Sequence, residues 1–268
     1  MRKTIILVCV IVLSSCQTVL EDIAVPAVEV KAVVFYSANN FGGFANPLLL
    51  TKSKPVLNSS TSSDFKKIEN ATITLTGNGQ EVDFTPRDNG YVINNQNVRF
   101  ITGIEYVLNV VTPENGTVTG KSIMPDSISE YQLEVDSIDQ DFEVIYNVRL
   151  SIPDNPNKDE YYRFEAFSRY DGNDEVMYVD NEYFSDENAA NGSVSNRFTT
   201  YSWDDKNGDR PEVYFILSVI TKDHYDYGKA LLSYDPGNPF SEPTPLPNNV
   251  EGGLGIFTLS NSQIIRIK

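Results

Sequence analysis

The run Ala71-Thr72-Ile73-Thr74-Leu75-Thr76-Gly77-Asn78-Gly79-Gln80-Glu81-Val82-Asp83-Phe84-Thr85 alternates apolar and polar residues on both sides of a Gly-Asn-Gly centre. A period of two places Ile73 with Leu75 on one face of a strand, and Val82 with Phe84 on one face of the next. The glycine-flanked centre supplies the turn, so Ala71–Thr76 and Glu81–Thr85 read as a β-hairpin. Asp88-Asn89-Gly90 then introduces a strand at Tyr91-Val92-Ile93, and Ile104–Val111 alternates up to Thr112-Pro113. Upstream, Val28–Tyr36 opens with alternation, turns nearly continuously apolar and reads as the first strand of a buried sheet. The Asn/Gly-rich residues 39–43 and the Ser/Thr-rich residues 58–63 read as loops.

Ile123-Met124-Pro125-Asp126-Ser127-Ile128 interrupts this pattern, which resumes at Gln132–Ser137, Phe142–Ile152, Tyr161–Ser168, Val176–Phe184, Arg197–Trp203 and Val213–Thr221. Asp223 is positioned to cap one short helix running to Leu232. A Pro-rich loop, 235–249, precedes strands at Leu254–Ser260 and Gln263–Ile267. The expected fold is all-β with little helix: two consecutive antiparallel β-sandwiches of Ig-like or transthyretin-like kind at 27–122 and 131–268, with 123–130 as the linker.

The 268 residues carry 37 acids and 21 bases, a formal charge of 21 − 37 = −16. A surface of that sign repels phosphate backbones, which removes nucleic acid from the expected partners. At the N-terminus, Arg2 and Lys3 precede a nine-residue apolar run, Ile5–Leu13. That is too short to span a hydrocarbon core needing about twenty residues and reads as a signal peptide, 1–15. Leu13-Ser14-Ser15-Cys16 resembles a bacterial lipobox, which makes Cys16 the expected attachment point of a palmitate-containing lipid and 16–26 a tether. Cleavage there discards Cys9, so no disulfide or thiolate chemistry is expected within the mature chain. The expected location is the outer membrane, with the lipid as the only hold on it.

Little in the chain points to catalysis, and no enzyme is expected. His224 is the sole histidine and lies at the helix start with Asp223 and Asp226, where a capping-region role is expected before that of a general base. Asp205-Lys206-Asn207-Gly208-Asp209 places three oxygen side chains, Asp205, Asn207 and Asp209, at the alternating positions of a calcium loop. Arg210 and Ile216 then break the pattern. Calcium is thus the one cofactor the sequence offers, and none is required. Asp126-Ser127-Ile128 and Asp136-Ser137-Ile138 resemble an O-glycosylation acceptor, with Ser127 and Ser137 as its hydroxyls. Tyr201 and Trp203 share a strand face and, with Tyr178 and Tyr183, suggest a stacking platform, although core packing is the expected role of each ring. Gly252, Gly253 and Gly255 suit a packed turn before a strand, and no Lys-Ser/Thr follows to make a phosphate cradle.

Residues 71–108, with Gly90-Tyr91 and Tyr106-Val107-Leu108, resemble a carboxypeptidase-regulatory-like or transthyretin-like sandwich. The lipobox, Tyr161-Tyr162-Arg163-Phe164, Gly237-Asn238-Pro239-Phe240 and Asn249-Val250-Glu251-Gly252-Gly253-Leu254-Gly255-Ile256-Phe257 together resemble a Bacteroidota lipoprotein family of unknown function, often encoded beside TonB-dependent receptors. The resemblance implies a noncatalytic accessory of such a receptor, whose contact surface is expected on the Pro-rich loop at Phe240, Glu242 and Asn248. A stand-alone glycan- or peptide-binding module and a carboxylate-dependent hydrolase are the alternatives.

Overall fold

The computed structural model describes residues 29–41, 46–54, 65–94, 98–170, 176–204, 208–233 and 245–267, the side chains of 176–180 excepted. Strands dominate. The first half contributes β1 (Ala32–Asn39), β2 (Leu49–Lys52), β3 (Thr72–Gly77), β4 (Gln80–Arg87), β5 (Gly90–Ile93), β6 (Glu105–Thr112) and β7 (Gly116–Ile123). The second contributes β8 (Gln132–Asp139), β9 (Glu143–Pro153), β10 (Tyr161–Arg169), β11 (Val176–Ser185), β12 (Ser193–Trp203) and β13 (Glu212–Ile220). One α-helix, α1 (Lys222–Ser233), then leads to β14 (Val250–Glu251) and the long β15 (Leu254–Ile267). Among the described residues no helix is long and apolar enough to cross a membrane.

The hairpin forms as read. Gly77 pairs with Gln80, and Asn78 and Gly79 take φ of 50° and 68°, the mirror-image turn whose twist matches the flanking strands. Ile73, Leu75, Val82 and Phe84 all face the core. Three strands, β2, β7 and the two-residue β14, escape the sequence reading. In β7 the inward residues are Val118, Gly120 and Ser122, while Ile123 points outward, so no apolar alternation marks it. The small face is needed because a Cβ on Gly120 would lie 3.0 Å from the Phe257 Cβ, and the Ser122 hydroxyl accepts a hydrogen bond from the Leu259 N–H at 3.0 Å.

The described residues form three sheets, in strand orders β11-β10-β13-β15-β1-β2, β14-β7-β6-β3-β4-β5 and β12-β9-β8. One face of the first sheet is covered twice. Val34, Tyr36, Phe257 and Leu259 pack with Ile73, Leu108 and Val118 of the second sheet. Tyr162, Phe164, Phe215 and Leu217 pack with Val148, Leu150 and Phe198 of the third. Phe164 and Phe198 stack at 4.3 Å.

The strands therefore follow the expected order, but their pairing crosses the boundary drawn at 123–130. β1 and β2, from the first half, lie in one sheet with β10, β11, β13 and β15, and β14 pairs with β7. Alternation within β1 announces a buried face and not the distant partner that supplies it. Residues 123–130 are also more than a linker. Met124 and Ile128 are buried, and the side-chain amides of Asn261 and Gln263 donate to the carbonyls of Pro125 (3.1 Å) and Ile128 (2.6 Å).

The joint is β15, whose residues 254–260 run parallel to β1 while 260–267 run antiparallel to β13. Its entry is tight. Gly255 has φ 118°, and a Cβ there would sit 1.8 Å from the Val34 carbonyl oxygen. Gly252, at φ 76°, would meet the Thr117 carbonyl at 2.2 Å. The glycine-rich signature is a packed turn against β1 and β7. Asn248 and Asn249 pin it, with Asn249 accepting from the Phe257 N–H and donating to the Phe257 carbonyl, both at 2.8 Å.

Gly255→Ala should accordingly lower the unfolding free energy by about 3 kcal/mol, since it adds a backbone clash to left-handed strain. Gly103 has φ 77°, but a Cβ added to it would meet no atom within 4 Å, so Gly103→Ala should cost only about 1 kcal/mol. Urea titration compares the two; equal losses would contradict a close-packed β1–β15 seam.

Candidate functional site

Period two along β10 sends Tyr162, Phe164 and Ala166 into the core and leaves Tyr161, Arg163 and Glu165 on the opposite face of the large sheet. α1 lies over that face. Its start is capped by Thr221, whose hydroxyl accepts the His224 N–H at 3.3 Å, in place of the expected Asp223. Asp223 instead adds favourable charge to the first turn and accepts a hydrogen bond from Asn249 at 3.1 Å. Tyr225 packs on Tyr161 at 5.1 Å, and Tyr227 on Phe35 of β1 at 5.9 Å. Gly228 brings the helix onto Tyr183, because a Cβ there would lie 2.2 Å from that ring.

Between helix and sheet is a pocket of about 390 Å³ whose walls include Phe35, Arg163, Asn181, Tyr183, His224 and Tyr227. Arg163 pairs with Glu165, donates to Asn181 Oδ1 at 3.0 Å, and holds its guanidinium 5.7 Å from the centre of the Tyr183 ring. The cation is thus matched before any ligand arrives. Burial pushes the Glu165 carboxyl above its ordinary value, and Arg163 pulls it partly back. His224, only 6% exposed, is driven down to about 3 by burial, and the Arg163 charge adds to that effect. Its imidazole is neutral at physiological pH, and its Nδ1 is buried with no hydrogen-bond partner among the described residues. A ligand group that donates to, or accepts from, that nitrogen would satisfy it. A larger hollow of about 680 Å³ runs along Leu49, Phe65 and Tyr91. Its buried hydroxyl is already paired, since Tyr91 donates to the Ile68 carbonyl at 3.0 Å and accepts from the Ala71 N–H.

His224 and Tyr183 have a functional reading in the sequence; Arg163 and Tyr227 enter it only as members of a family-like stretch or helix face, and Glu165 and Asn181 not at all. The available signal was the pair of charged residues Arg163 and Glu165 alternating with Tyr162, Phe164 and Ala166. The four-ring platform does not assemble. Tyr183 faces α1, Tyr178 lies on β11, and Tyr201 and Trp203 stand together on the outer face of the third sheet instead of in a core.

The other predicted positions divide sharply. Cys16, Asp205, Asn207, Phe240 and Glu242 lie outside the described residues. Asp209 is described; beside it Arg210 donates from Nε to Asp204 at 3.2 Å and from its two terminal nitrogens to Asp139 at 2.6 and 3.0 Å. Asn248, expected as a contact residue, is structural: it donates to the Val250 carbonyl at 2.9 Å and accepts the Gly255 N–H at 2.6 Å. Replacing it would loosen the turn, so it is a poor probe of partner binding. Ser127 and Ser137 are both exposed, the first in the 123–130 segment and the second in β8, at the edge of its sheet.

The imidazole yields a pH prediction. Its folded value of about 3 lies below the ordinary 6.5, so between these values the unfolded chain binds more protons than the native one. Its contribution to stability is complete above pH 6.5 and is lost as pH falls toward 3, at about 1.4 kcal/mol per pH unit. Glu165, with its pKa raised, opposes this trend. The C–H resonance of the sole imidazole should stay fixed between about pH 8 and about pH 5. His224→Gln should flatten the stability loss below pH 6.5; titration of the resonance near 6.5 would show an imidazole open to water.

Comparison with known proteins gives one family. No curated relative matches the chain. The family described as a domain of unknown function, DUF4249, matches residues 12–266, nearly the whole sequence, and the chain belongs to it.

Proposed function

We propose that the protein is a noncatalytic, lipid-anchored outer-membrane binding protein that serves a TonB-dependent receptor or its cargo. The observation that carries the binding half of this reading is the pocket beneath α1. Its cation is already neutralised by Glu165, and its imidazole is held uncharged with an unsatisfied Nδ1. The side chain best suited to proton transfer near neutral pH is therefore tuned away from it, which favours holding a ligand over transforming one. A pocket of 390 Å³ with tyrosine and phenylalanine on its walls suits a small molecule or one side chain of a larger cargo.

The anchor half rests on Leu13-Ser14-Ser15-Cys16 after a short apolar run. Loss of Arg2 and Lys3 with the signal leaves 19 − 37 = −18, so attraction to anionic lipid adds nothing to the acyl chains. Palmitate labelling should disappear in Cys16→Ala, and undiminished labelling would end the lipoprotein reading. Mild detergent extraction of the tagged full-length chain from its native membranes should bring down a TonB-dependent receptor. Recovery of the tagged protein without one would end the accessory reading and leave the pocket's binding role to be judged separately.

A further inference from the structure

The outer face of the β12-β9-β8 sheet is built unlike the rest of the surface. Register pairs Trp203 with Glu143, Tyr201 with Ile145, Thr199 with Asn147 and Arg197 with Arg149. β8 extends the rows, placing Ile138 beside Ile145, Asp136 beside Asn147 and Glu134 beside Arg149. Side chains in one row share a face, so an aromatic end passes directly into a polar middle.

The aromatic end is accessible and fixed. Tyr201 and Trp203 are 40% and 41% exposed, and their rings are parallel within 16° with centroids 6.1 Å apart. Trp203 is tied down twice, by its Nε1 donating to Glu143 at 3.1 Å and by its carbonyl accepting from the Tyr170 hydroxyl at 2.7 Å. Exposed rings held in place in this way have already lost the rotamer freedom that binding would otherwise cost.

The polar middle identifies the occupant. Arg149 is paired with Glu134 at 2.5 Å, so one of the two arginines in these rows is already compensated. Among the described residues Asp136 and the Arg197 guanidinium have no partner. Asn147 uses only its carbonyl oxygen, which accepts from Thr199 at 3.2 Å. A carboxylate, an amide and a guanidinium lie in adjacent rows beside two ring faces. The carboxylate needs donors, while the other two need acceptors. A vicinal diol meets both demands with one kind of group, and the C–H face of a pyranose stacks on an aromatic ring. A protein partner would have to bring a different matching group to each position.

We propose that this face binds a neutral pyranose glycan, stacked on Tyr201 and Trp203 and hydrogen-bonded by Asp136, Asn147 and Arg197. The site is separate from the pocket beneath α1 and does not depend on the receptor reading. An anionic glycan fits poorly, given the chain's charge of −16.

Trp203 is the sole tryptophan, so fluorescence excited selectively in tryptophan, at wavelengths the tyrosines do not absorb, reports on this site. The full-length protein, held in a detergent without a sugar headgroup, is titrated with cellohexaose, mannohexaose, laminarihexaose and hexagalacturonate. At least one neutral hexasaccharide should shift the emission saturably. Tyr201→Ala should weaken that response about tenfold and Asp136→Ala several-fold, with both melting temperatures unchanged. The absence of any response to the three neutral sugars, or a response to hexagalacturonate alone, would overturn the proposal. A response that Tyr201→Ala leaves intact would also overturn it. A shift on adding purified receptor, with none from any sugar, would assign the face to a protein contact and overturn it too.

Discussion

The parallel pairing of β1 with the first half of β15 is the constraint on which the remaining architecture depends. Parallel neighbours need a long connection, and here almost the entire chain, from Asn39 to Leu254, is that connection. Because β15 continues past Ser260 to pair with β13, one strand belongs to both packing layers: Phe257 and Leu259 enter the first core, while Ile265 and Ile267 pack against the second. The two sandwiches expected from the sequence are thus two coverings of a single sheet. Their joint cannot tolerate a side chain at Gly255, where the Val34 carbonyl occupies the space of a Cβ.

The same strand positions the pocket. Asn249 satisfies the Phe257 N–H and carbonyl as a neighbouring strand would, and its amide also donates to Asp223 in the first turn of α1. The helix is therefore referenced to β15 at its N-terminus and to β11 at Gly228, where Tyr183 fills the space of a Cβ. His224 lies between these two contacts. Its burial, and hence its neutrality, follows from how closely the helix is drawn onto the sheet, so the site's electrostatics are a consequence of backbone packing.

What could be read from the sequence was local. The 71–85 hairpin, the strand-rich second half and the short helix after residue 221 all show in periodicity and turn residues, because those signals depend on neighbours in the chain. The pairing of β1 with β15 does not show, since strand alternation reports a buried face and carries no address for the partner. β7 was invisible for a related reason: it lies so close to β15 that its inward positions are Val118, Gly120 and Ser122, and a small polar face gives no hydrophobic signal. In the pocket, His224 drew attention as the only histidine, while the charges of Arg163 and Glu165 show in the sequence but acquire a role only when β10 is seen to have one face in the core and the other beneath a helix. Asn248 and Asn249 read as loop residues in sequence, where a side chain's hydrogen bonds to backbone seven or eight residues away leave no trace.

The topology also bears on how an anchored body would carry load. Under the proposed lipidation, sixteen positions separate Cys16 from Ala32, where β1 begins, a reach of at most about 55 Å when fully extended. Force arriving through that tether enters β1, which lies inside the large sheet between β2 and β15. Because β15 runs parallel to β1, pulling on the N-terminus draws the strands along one another and loads the hydrogen bonds of all seven paired residues together. An edge strand peeled from one end would lose them one at a time. Under that lipidation, the feature least legible in the sequence, the parallel β1–β15 pairing, would be the one that resists load entering through the tether.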